Sequence, residues 1–546
     1  MFITKVNIEN YKCFKTFSID LDAGINILVG DNESGKSTIL EAIHVALTGM
    51  LNGKYLKNEL SQYLFNSEAV AEYVMNLKAG TPIAPPHILI EVYMKGDNLA
   101  LFEGDGNSIK VKECGICLKI AFKEEYKGEY EQLVKTGNIE SIPIEYYEPT
   151  WFSFARDPLT PRTIPIKSAL IDSSSNRYQN GSDVYISRII RDNLESKDIV
   201  EISQAYRRMK EAFMSEAAIK VINAKIKSES QISDKTVSLS VDMSSRNAWE
   251  ASLMTYLDDI PFHNIGKGEQ CIVKTQLALS HKKAKEANLI LLEEPENHLS
   301  HSKLNQLIRN ISGNSENKQI LVSTHSSFVA NKLGLENLIL LSNGSTVRLR
   351  QLSDDTKDFF KKLAGYDTLR LILCKKAILV EGDSDELVVQ KAYMNQNANR
   401  LPIEDRIDVI SVGTSFLRFL EIAEKLGTNV AVVTDNDGDV SALKKKYQNY
   451  LEANAMPSIA IHYDGTEDTG TLQIDGKGFN YNTLEPKLLK ANGLGTLTAI
   501  FETNHQSTDD LLKYMKSNKT ECALKIFSTK QSIAFPQYIL DAIKSA

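Results

Sequence analysis

Residues 25–38, INILVGDNESGKST, constrain this chain more than any other stretch. An apolar run suited to a buried strand (25–29) meets the polar loop Gly30-Asp31-Asn32-Glu33-Ser34-Gly35-Lys36-Ser37, and TILEAIHVAL follows with helical spacing. Strand, glycine loop and helix in that order build a phosphate cradle. Gly30 and Gly35 let backbone N–H groups turn inward, the helix N-terminus adds partial positive charge, Lys36 reaches the β/γ-phosphates and Ser37 holds Mg²⁺. Asn32 and Thr38 complete the expected ATP contacts. A glycine turn with a surface lysine is the bland alternative, and the flanking strand and helix argue against it.

Far downstream, the apolar run 289–292 (LILL) ends in Glu293-Glu294-Pro295-Glu296-Asn297-His298. One carboxylate of such a pair can bind Mg²⁺ while its neighbour polarises a water; Glu293 is assigned to the metal and Glu294 to the water. A third apolar run, 320–322, leads into Ser323-Thr324-His325, where an imidazole at a strand end can sense the γ-phosphate. A lone histidine is more often structural. Here three strand-end features fall in the order that a doubly wound α/β sheet requires.

Composition narrows the class. At 546 residues the chain exceeds one ordinary core and implies two or three domains. With 42% hydrophobic and 24% charged residues, no leader-like start and no apolar run long enough for a bilayer, a cytoplasmic protein without a membrane partner is expected. The pair Cys114-Gly115-Ile116-Cys117 has no second Cys or His pair nearby, so ordinary reduced cysteines are expected rather than zinc. The net charge of −7 counts mildly against DNA as a partner, although clustered catalytic carboxylates can outweigh a local basic groove.

Residues 182–260 contain neither Gly nor Pro, and Ile199, Ile202, Tyr206, Met209 and Phe213 recur at helical spacing. Helices are expected from about 184 to 228. The stripe lasts only about two heptads, so internal packing and a seam against a second subunit both stay open. Residues 143–165, rich in proline and aromatics, are expected to form a loop entering this insert; Arg156 and Arg162 are nucleotide or DNA contacts, or plain surface arginines. A strand at NLILLSN and a helical linker at 353–374 follow.

A second α/β domain is expected from residue 375. Residues 377–380 (AILV) end in Glu381-Gly382, with a helix beginning at Asp383 or Ser384, so Glu381 and Asp385 can face one metal. Strands at 407–412 and 429–433 follow, the latter ending in Thr434-Asp435-Asn436-Asp437-Gly438-Asp439. Adjacent parallel strands bring Glu381 and the Asp435/Asp437 pair to one carboxyl edge, where such sheets place ligands. Hard oxygen donors suit Mg²⁺, Mn²⁺ or Ca²⁺.

These motifs carry resemblances. The nucleotide parts resemble the ABC/SMC branch of ATPases: Gly266-Lys267-Gly268-Glu269-Gln270 is similar to a degenerate signature loop, which nominates Gly268 as a nucleotide contact and implies a dimeric ATP sandwich. The leading Leu-Ser of that signature is replaced by Asn264-Ile265. Asn10-Tyr11-Lys12 resembles the turn of the N-terminal hairpin in SMC-like repair ATPases. Glu381 with Asp435-x-Asp437 resembles the Toprim domain, and Toprim behind an ABC-type ATPase resembles the overcoming-lysogenisation-defect (OLD) nucleases and the Gabija nuclease subunit. That resemblance implies a division into ATPase (1–165), helical dimerisation insert (166–230), ATPase (231–352), linker (353–374) and Toprim nuclease (375–546). It implies metal ligands at Glu381, Asp385, Asp435, Asp437 and, from Thr483-Leu484-Glu485-Pro486, Glu485. It also implies a catalytic lysine, for which Lys519 fits best and Lys525 is the alternative. A homodimeric, ATP-controlled, metal-dependent DNA endonuclease of bacterial antiphage defence is the resulting expectation, with a helicase partner left open. The rivals are a non-cutting SMC-like DNA-repair ATPase and a nucleotide-sensing regulator of a partner enzyme.

Overall fold

The computed structural model describes the chain except residues 32, 53, 80–83, 136–140, 173–177, 180–181, 184–193, 230–238, 241–255, 268, 271, 274–286, 298, 314–317, 343–344, 350–351, 364–366 and 546. Two compact units result: Met1–Leu28, Asn32–Thr324 and Asn343–Ser345 form the first, and Val29–Asp31, His325–Ser342 and Thr346–Ala546 the second. The nominated Asn32 and Gly268, and the expected helix over 184–193, lie outside the described residues.

Two larger sheets organise the first unit among the described residues. Its antiparallel sheet starts with the hairpin β1 (Phe2–Tyr11) and β2 (Phe14–Asp20), turning at Lys12 with φ 48°, and continues through β4 (Ile88–Lys95), β5 (Glu113–Phe122) and β6 (Tyr147–Ser153) in the order β6-β5-β4-β1-β2. Its other sheet holds β3 (Ile25–Gly30), β7 (Ser168–Asp172), β8 (Leu289–Glu293) and β9 (Gln319–Ser323), all parallel, in the order β7-β8-β9-β3. Leu289–Leu292 and Ile320–Val322 are buried throughout, as strands covered on both faces must be. Helix α1 (Lys36–Thr48) follows the glycine loop and stops at Gly49, whose φ of 64° sends its N–H back to the Val45 carbonyl, and α2 (Ser67–Lys78) comes next.

Residues 143–165 correct an expectation. They are not a loop throughout, because Tyr147–Ser153 pairs with β5 over seven residues and Pro158–Leu159 pairs back onto it. Thr150, Trp151 and Phe152 favour a pleated surface, and Pro149 is tolerated because this strand lies near the sheet edge. Trp151 Nε1 donates to the Ala46 carbonyl at 2.9 Å, tying the strand to α1. Arg156 is engaged by Asp105 at 2.8 Å. The insert contains helices α3 (Ser196–Ser215) and α4 (Ala217–Glu229). The expected stripe is half-buried at Ile199, Ile202 and Tyr206 but exposed at Met209 and Phe213.

The second unit begins with α5 (Ser327–Leu333) and the strand β10 (Leu338–Ser342), followed by α6 (Asp354–Lys362) and α7 (Thr368–Leu373) in the expected linker. Its parallel sheet is β12-β11-β13-β14, from β11 (Lys376–Val380), β12 (Ile407–Ser411), β13 (Asn429–Val433) and β14 (Ile459–His462). Around it lie α8 (Asp383–Gln396), α9 (Phe416–Leu426), α10 (Val440–Lys446), α11 (Leu484–Phe501), α12 (Thr508–Ser517), α13 (Lys519–Ser528) and α14 (Gln537–Ser545). Helix α9 buries Phe416, Phe419, Leu420 and Ala423, one stripe at spacings of three and four. From its other side Glu421 accepts hydrogen bonds from the hydroxyls of Ser353 (2.8 Å) and Thr356 (2.5 Å), and Arg418 pairs with Asp355 at 2.9 Å. The linker helix α6 is thereby fastened to this domain.

The Phe419 ring packs edge-on against Phe360 of α6 at 5.2 Å, and both are almost wholly buried. Phe419→Ala is expected to cost about 3–5 kcal/mol through lost burial and an unfilled cavity. Urea unfolding followed by circular dichroism measures it.

Candidate active site

Strand β11 occupies the middle of the second unit's sheet, flanked by β12 and β13. Glu381 leaves its carboxyl end, and two residues past the end of β13 comes Asp435. This parallel register is what brings the two acids to one edge. Gly382 precedes α8 and donates its N–H to Asp385 Oδ2 at 3.1 Å, so the first turn of α8 aims that carboxyl back at the strand end. Leu484 N–H, at the start of α11, donates to Asp435 Oδ2 at 3.2 Å. The next residue, Glu485, is buried, with one oxygen accepting from Thr483 Oγ1 (3.1 Å) and the other paired with Lys519 Nζ (3.0 Å). Asp437, at φ 49°, accepts from Asn480 Nδ2 at 2.9 Å.

The electrostatics report the crowding. Burial, then Asp385, Glu381, Glu485 and Asp437, push the Asp435 carboxyl well above the usual carboxylate range. Asp385 is pushed up to about 6, by burial first and then by Glu485, against the opposing Gly382 hydrogen bond. Glu381 is raised by burial and by Asp437, while Lys446 and Lys519 pull it down. For Lys519, burial works against the ammonium, but Glu485, Asp385 and Asp435 outweigh it and hold the charge in place. Lys525 instead donates to the Phe501 carbonyl at 2.7 Å. Of the two nominated lysines, Lys519 is the one the fold brings to the acids.

Among the described residues, no three His, Cys, Asp or Glu side chains form a ready-made metal cage. The acids converge without closing, each oriented by an N–H, an amide or an ammonium. Their donor set nevertheless fits a divalent cation. It is all carboxylate oxygen, suited to Mg²⁺, Mn²⁺ or Ca²⁺, and its members compete for protons because compensating positive charge is short.

In the first unit, Lys36 is buried at the start of α1, with Nζ 3.5 Å from Ser34 Oγ. Gly35 adopts φ 93°, and a Cβ there would come within 2.3 Å of the Phe14 ring, so glycine is required twice over. Glu293 ends β8 opposite Ser323 of β9, and Ser323 pairs in turn with Leu28 of β3. The acidic strand tip and the strand feeding the phosphate loop therefore share one carboxyl edge. Glu294, at φ 40°, donates its N–H to the Ser323 carbonyl (3.0 Å) and accepts from Asn297 Nδ2 (2.8 Å). In the signature-like segment, Gln270 is buried and its amide donates to the carbonyls of Phe262 (3.0 Å) and Ile265 (2.8 Å). His325 is exposed and belongs to the second unit.

Sequence reasoning missed four supporting residues: Asn480 and Thr483, which bond Asp437 and Glu485, and Asn436 and Lys487, which bond the loop after β14. Their only signal was proximity to the named motifs.

Comparison with known proteins agrees with this layout. Residues 1–78 match the AAA ATPase domain family, and residues 372–437 match the TOPRIM domain of overcoming-lysogenization-defect-like proteins. A stretch matching an ATPase domain and a stretch matching an OLD-like TOPRIM domain thus stand in one chain. Short stretches are also similar to the DNA double-strand break repair Rad50 ATPase of Archaeoglobus fulgidus (40% identity over 58 residues, 11% of this chain and 6% of the relative) and to the DNA replication and repair protein RecF of Clostridium beijerinckii (39% over 44 residues, 8% and 12%). The chain thus matches only a small part of the length of these relatives. Among solved structures, an SMC head bound to the C-winged-helix domain of ScpA is similar over 64% of this chain and 99% of its own, at 16% identity and a TM-score of 0.33. The SMC head domain from Thermotoga maritima gives 14% and 0.30 over 65% and 100%. Among the described residues, no helix is long and apolar enough to cross a membrane.

Asp385 and Asp435 in the Toprim domain generate a pH prediction. Both bind protons more tightly folded than unfolded, so their contribution to stability is present below about pH 4 and is lost as pH rises through their folded values. For Asp385, a rise from 3.8 to about 6 corresponds to about 3 kcal/mol. Metal-free protein is expected to lose stability between about pH 4 and pH 6 at Asp385, and Asp385→Asn to flatten that slope. Melting temperatures across the pH series, with and without Mg²⁺, measure both.

Proposed function

We propose that this chain is an ATP-controlled, divalent-metal-dependent DNA endonuclease. One observation carries the reading: Glu381, Asp385, Asp435, Asp437 and Glu485 converge on the carboxyl edge of the Toprim sheet, with Lys519 among them. The family matches supply a nucleotide-using domain and a Toprim domain in the order that such an enzyme needs.

In this reading the five carboxylates hold Mg²⁺ or Mn²⁺. The bound ions would activate the attacking water and stabilise the leaving oxygen of the phosphodiester. The residues of the chain do the rest. Gly382 and Leu484 N–H groups keep Asp385 and Asp435 oriented, and Lys519, released from part of its pairing with Glu485, offers its charge to the scissile phosphate. In the ATPase, Lys36 and Ser37 engage phosphates and Mg²⁺, Glu293 the metal, and Glu294 orients water toward the γ-phosphate sensed by His325. Gly30, Asn32, Gly35, Thr38 and, from a second subunit, Gly268 complete the ATP contacts. ATP gates DNA access rather than driving cleavage, because metal-assisted hydrolysis of a phosphodiester needs no nucleotide energy.

A homodimer accords with the exposed Met209, Phe213, Val221 and Ile222 on α3 and α4, which leave apolar surface for a second copy. The OLD resemblance supports the bacterial cytoplasm as its location and antiphage defence as its role.

Supercoiled plasmid incubated with pure protein and Mg²⁺ or Mn²⁺ tests the function. Wild type is expected to nick or linearise it at a rate that changes with nucleotide. Glu381→Ala should lose at least about a hundredfold, the scale on which single groups stabilising a transition state act, while keeping ATP turnover. Lys36→Ala should lose ATP turnover and nucleotide response together. Plasmid left intact by wild type in every nucleotide state would overturn the reading in favour of a non-cutting DNA-repair ATPase.

A further inference from the structure

Lys487 follows Glu485 by two residues in the first turn of α11, yet its side chain is only 3% exposed. Its ammonium makes three bonds, all to the loop after β14: the Thr466 carbonyl (2.9 Å) and the carboxylates of Asp464 and Asp468 (both 2.8 Å). Three acceptors use all three of its donors. Nothing about nucleotide, metal or DNA contact explains them.

What this loop does is visible from its other side. Asn436, between Asp435 and Asp437, is also buried. Its amide donates to the carbonyls of Asp464 (2.6 Å) and Thr466 (3.0 Å), and its oxygen accepts from Gly438 N–H (3.0 Å). The Thr466 carbonyl is therefore shared by Lys487 and Asn436. Asn482, on the same loop, exchanges hydrogen bonds with Asp468 through its oxygen (2.7 Å) and its amide (2.8 Å). Asp435 and Asp437 repel Glu381, Asp385 and Glu485, so the turn carrying them tends to open away from the sheet edge. Asn436 holds that turn to the loop, and Lys487 holds the loop to α11, the helix that also presents Glu485.

We propose that Lys487 is a positioning residue for the divalent-metal site, setting the Asp435–Asp437 turn at its working distance from Glu485 through the shared Thr466 carbonyl and Asn436. The inference rests on the metal-binding part of the proposed function, not on DNA cleavage. It assigns the buried ammonium a role separable from stability, since partners that orient metal ligands change metal affinity by about 10–100-fold.

The test compares wild type, Lys487→Met, Lys487→Arg and Asn436→Ala by Mn²⁺ calorimetry without DNA, by half-saturating Mn²⁺ in plasmid cleavage, and by ATP turnover. Lys487→Met and Asn436→Ala are expected to weaken Mn²⁺ binding about tenfold or more and raise half-saturation in parallel. Cleavage at saturating Mn²⁺ should return to near the wild-type rate, ATP turnover should stay unchanged, and Lys487→Arg should restore part of the affinity. Wild-type Mn²⁺ affinity in folded Lys487→Met, whatever its melting temperature, overturns the proposal. If Lys487→Met does not fold, Lys487→Arg and Asp464→Asn decide by the same rule. Wild type that binds Mn²⁺ through Glu381 but leaves plasmid intact removes the nuclease reading, and the calorimetry still decides the role of Lys487. Wild type that binds no Mn²⁺ removes both.

Discussion

Like charges gathered at one strand edge govern the second domain. Parallel strands end together, so a sheet with an acid after β11 and another after β13 must hold them side by side. Burial then makes each carboxylate costlier, and the protons of Asp385 and Asp435 tighten in response. The surrounding structure answers that cost group by group. Gly382 and Leu484 lend N–H groups, Asn480 an amide, and α13 carries Lys519 to Glu485. A site so arranged is incomplete in charge, and in the proposed function divalent cations would complete it.

The nucleotide unit solves a related problem differently. Glu293 and the strand feeding the phosphate loop also share a carboxyl edge, but the loop contributes oriented N–H groups and a helix N-terminus, so positive potential is present before any ion arrives. Lys36 is buried, with its ammonium 3.5 Å from the Ser34 hydroxyl of the same loop. One strand-edge geometry thus suits an anion where the following turn is glycine-rich and a cation where it is acidic. The residues after the strand decide which.

Much of this was legible in the sequence because buried parallel strands are short, uniformly apolar and punctuated. INILV, LILL, AILV and NVAVV lie in strands, and the acids and glycines that follow them fall where strand ends require. Residues 147–153 were misread because proline and aromatics mark loops and edge strands alike, and only pairing with β5 separates the two. Lys487 was invisible for a stronger reason. A lysine in the first turn of a helix is ordinarily solvated, and its burial depends on a loop whose path local sequence does not encode. Asn436 was equally silent between two aspartates, where attention goes to the charges.

The division of the chain has its own consequence. His325 and α5 belong to the unit that holds the Toprim domain. Ser326 caps α5, Ser327 Oγ bonds Asp367, and Asn331 accepts the Thr368 hydroxyl at 2.6 Å with both residues fully buried. Two residues on, Arg370 pairs with Asp408 of β12 and, at 3.5 Å, with Glu386, the neighbour of Asp385. Every link is covalent, a hydrogen bond or an ion pair. Burial removes water as an alternative partner for Asn331 and Thr368, so losing their bond would leave both groups unsatisfied. α7, a helix of only six residues, thus carries two polar anchors in its first turn, Thr368 to α5 and Arg370 to β12 and α8.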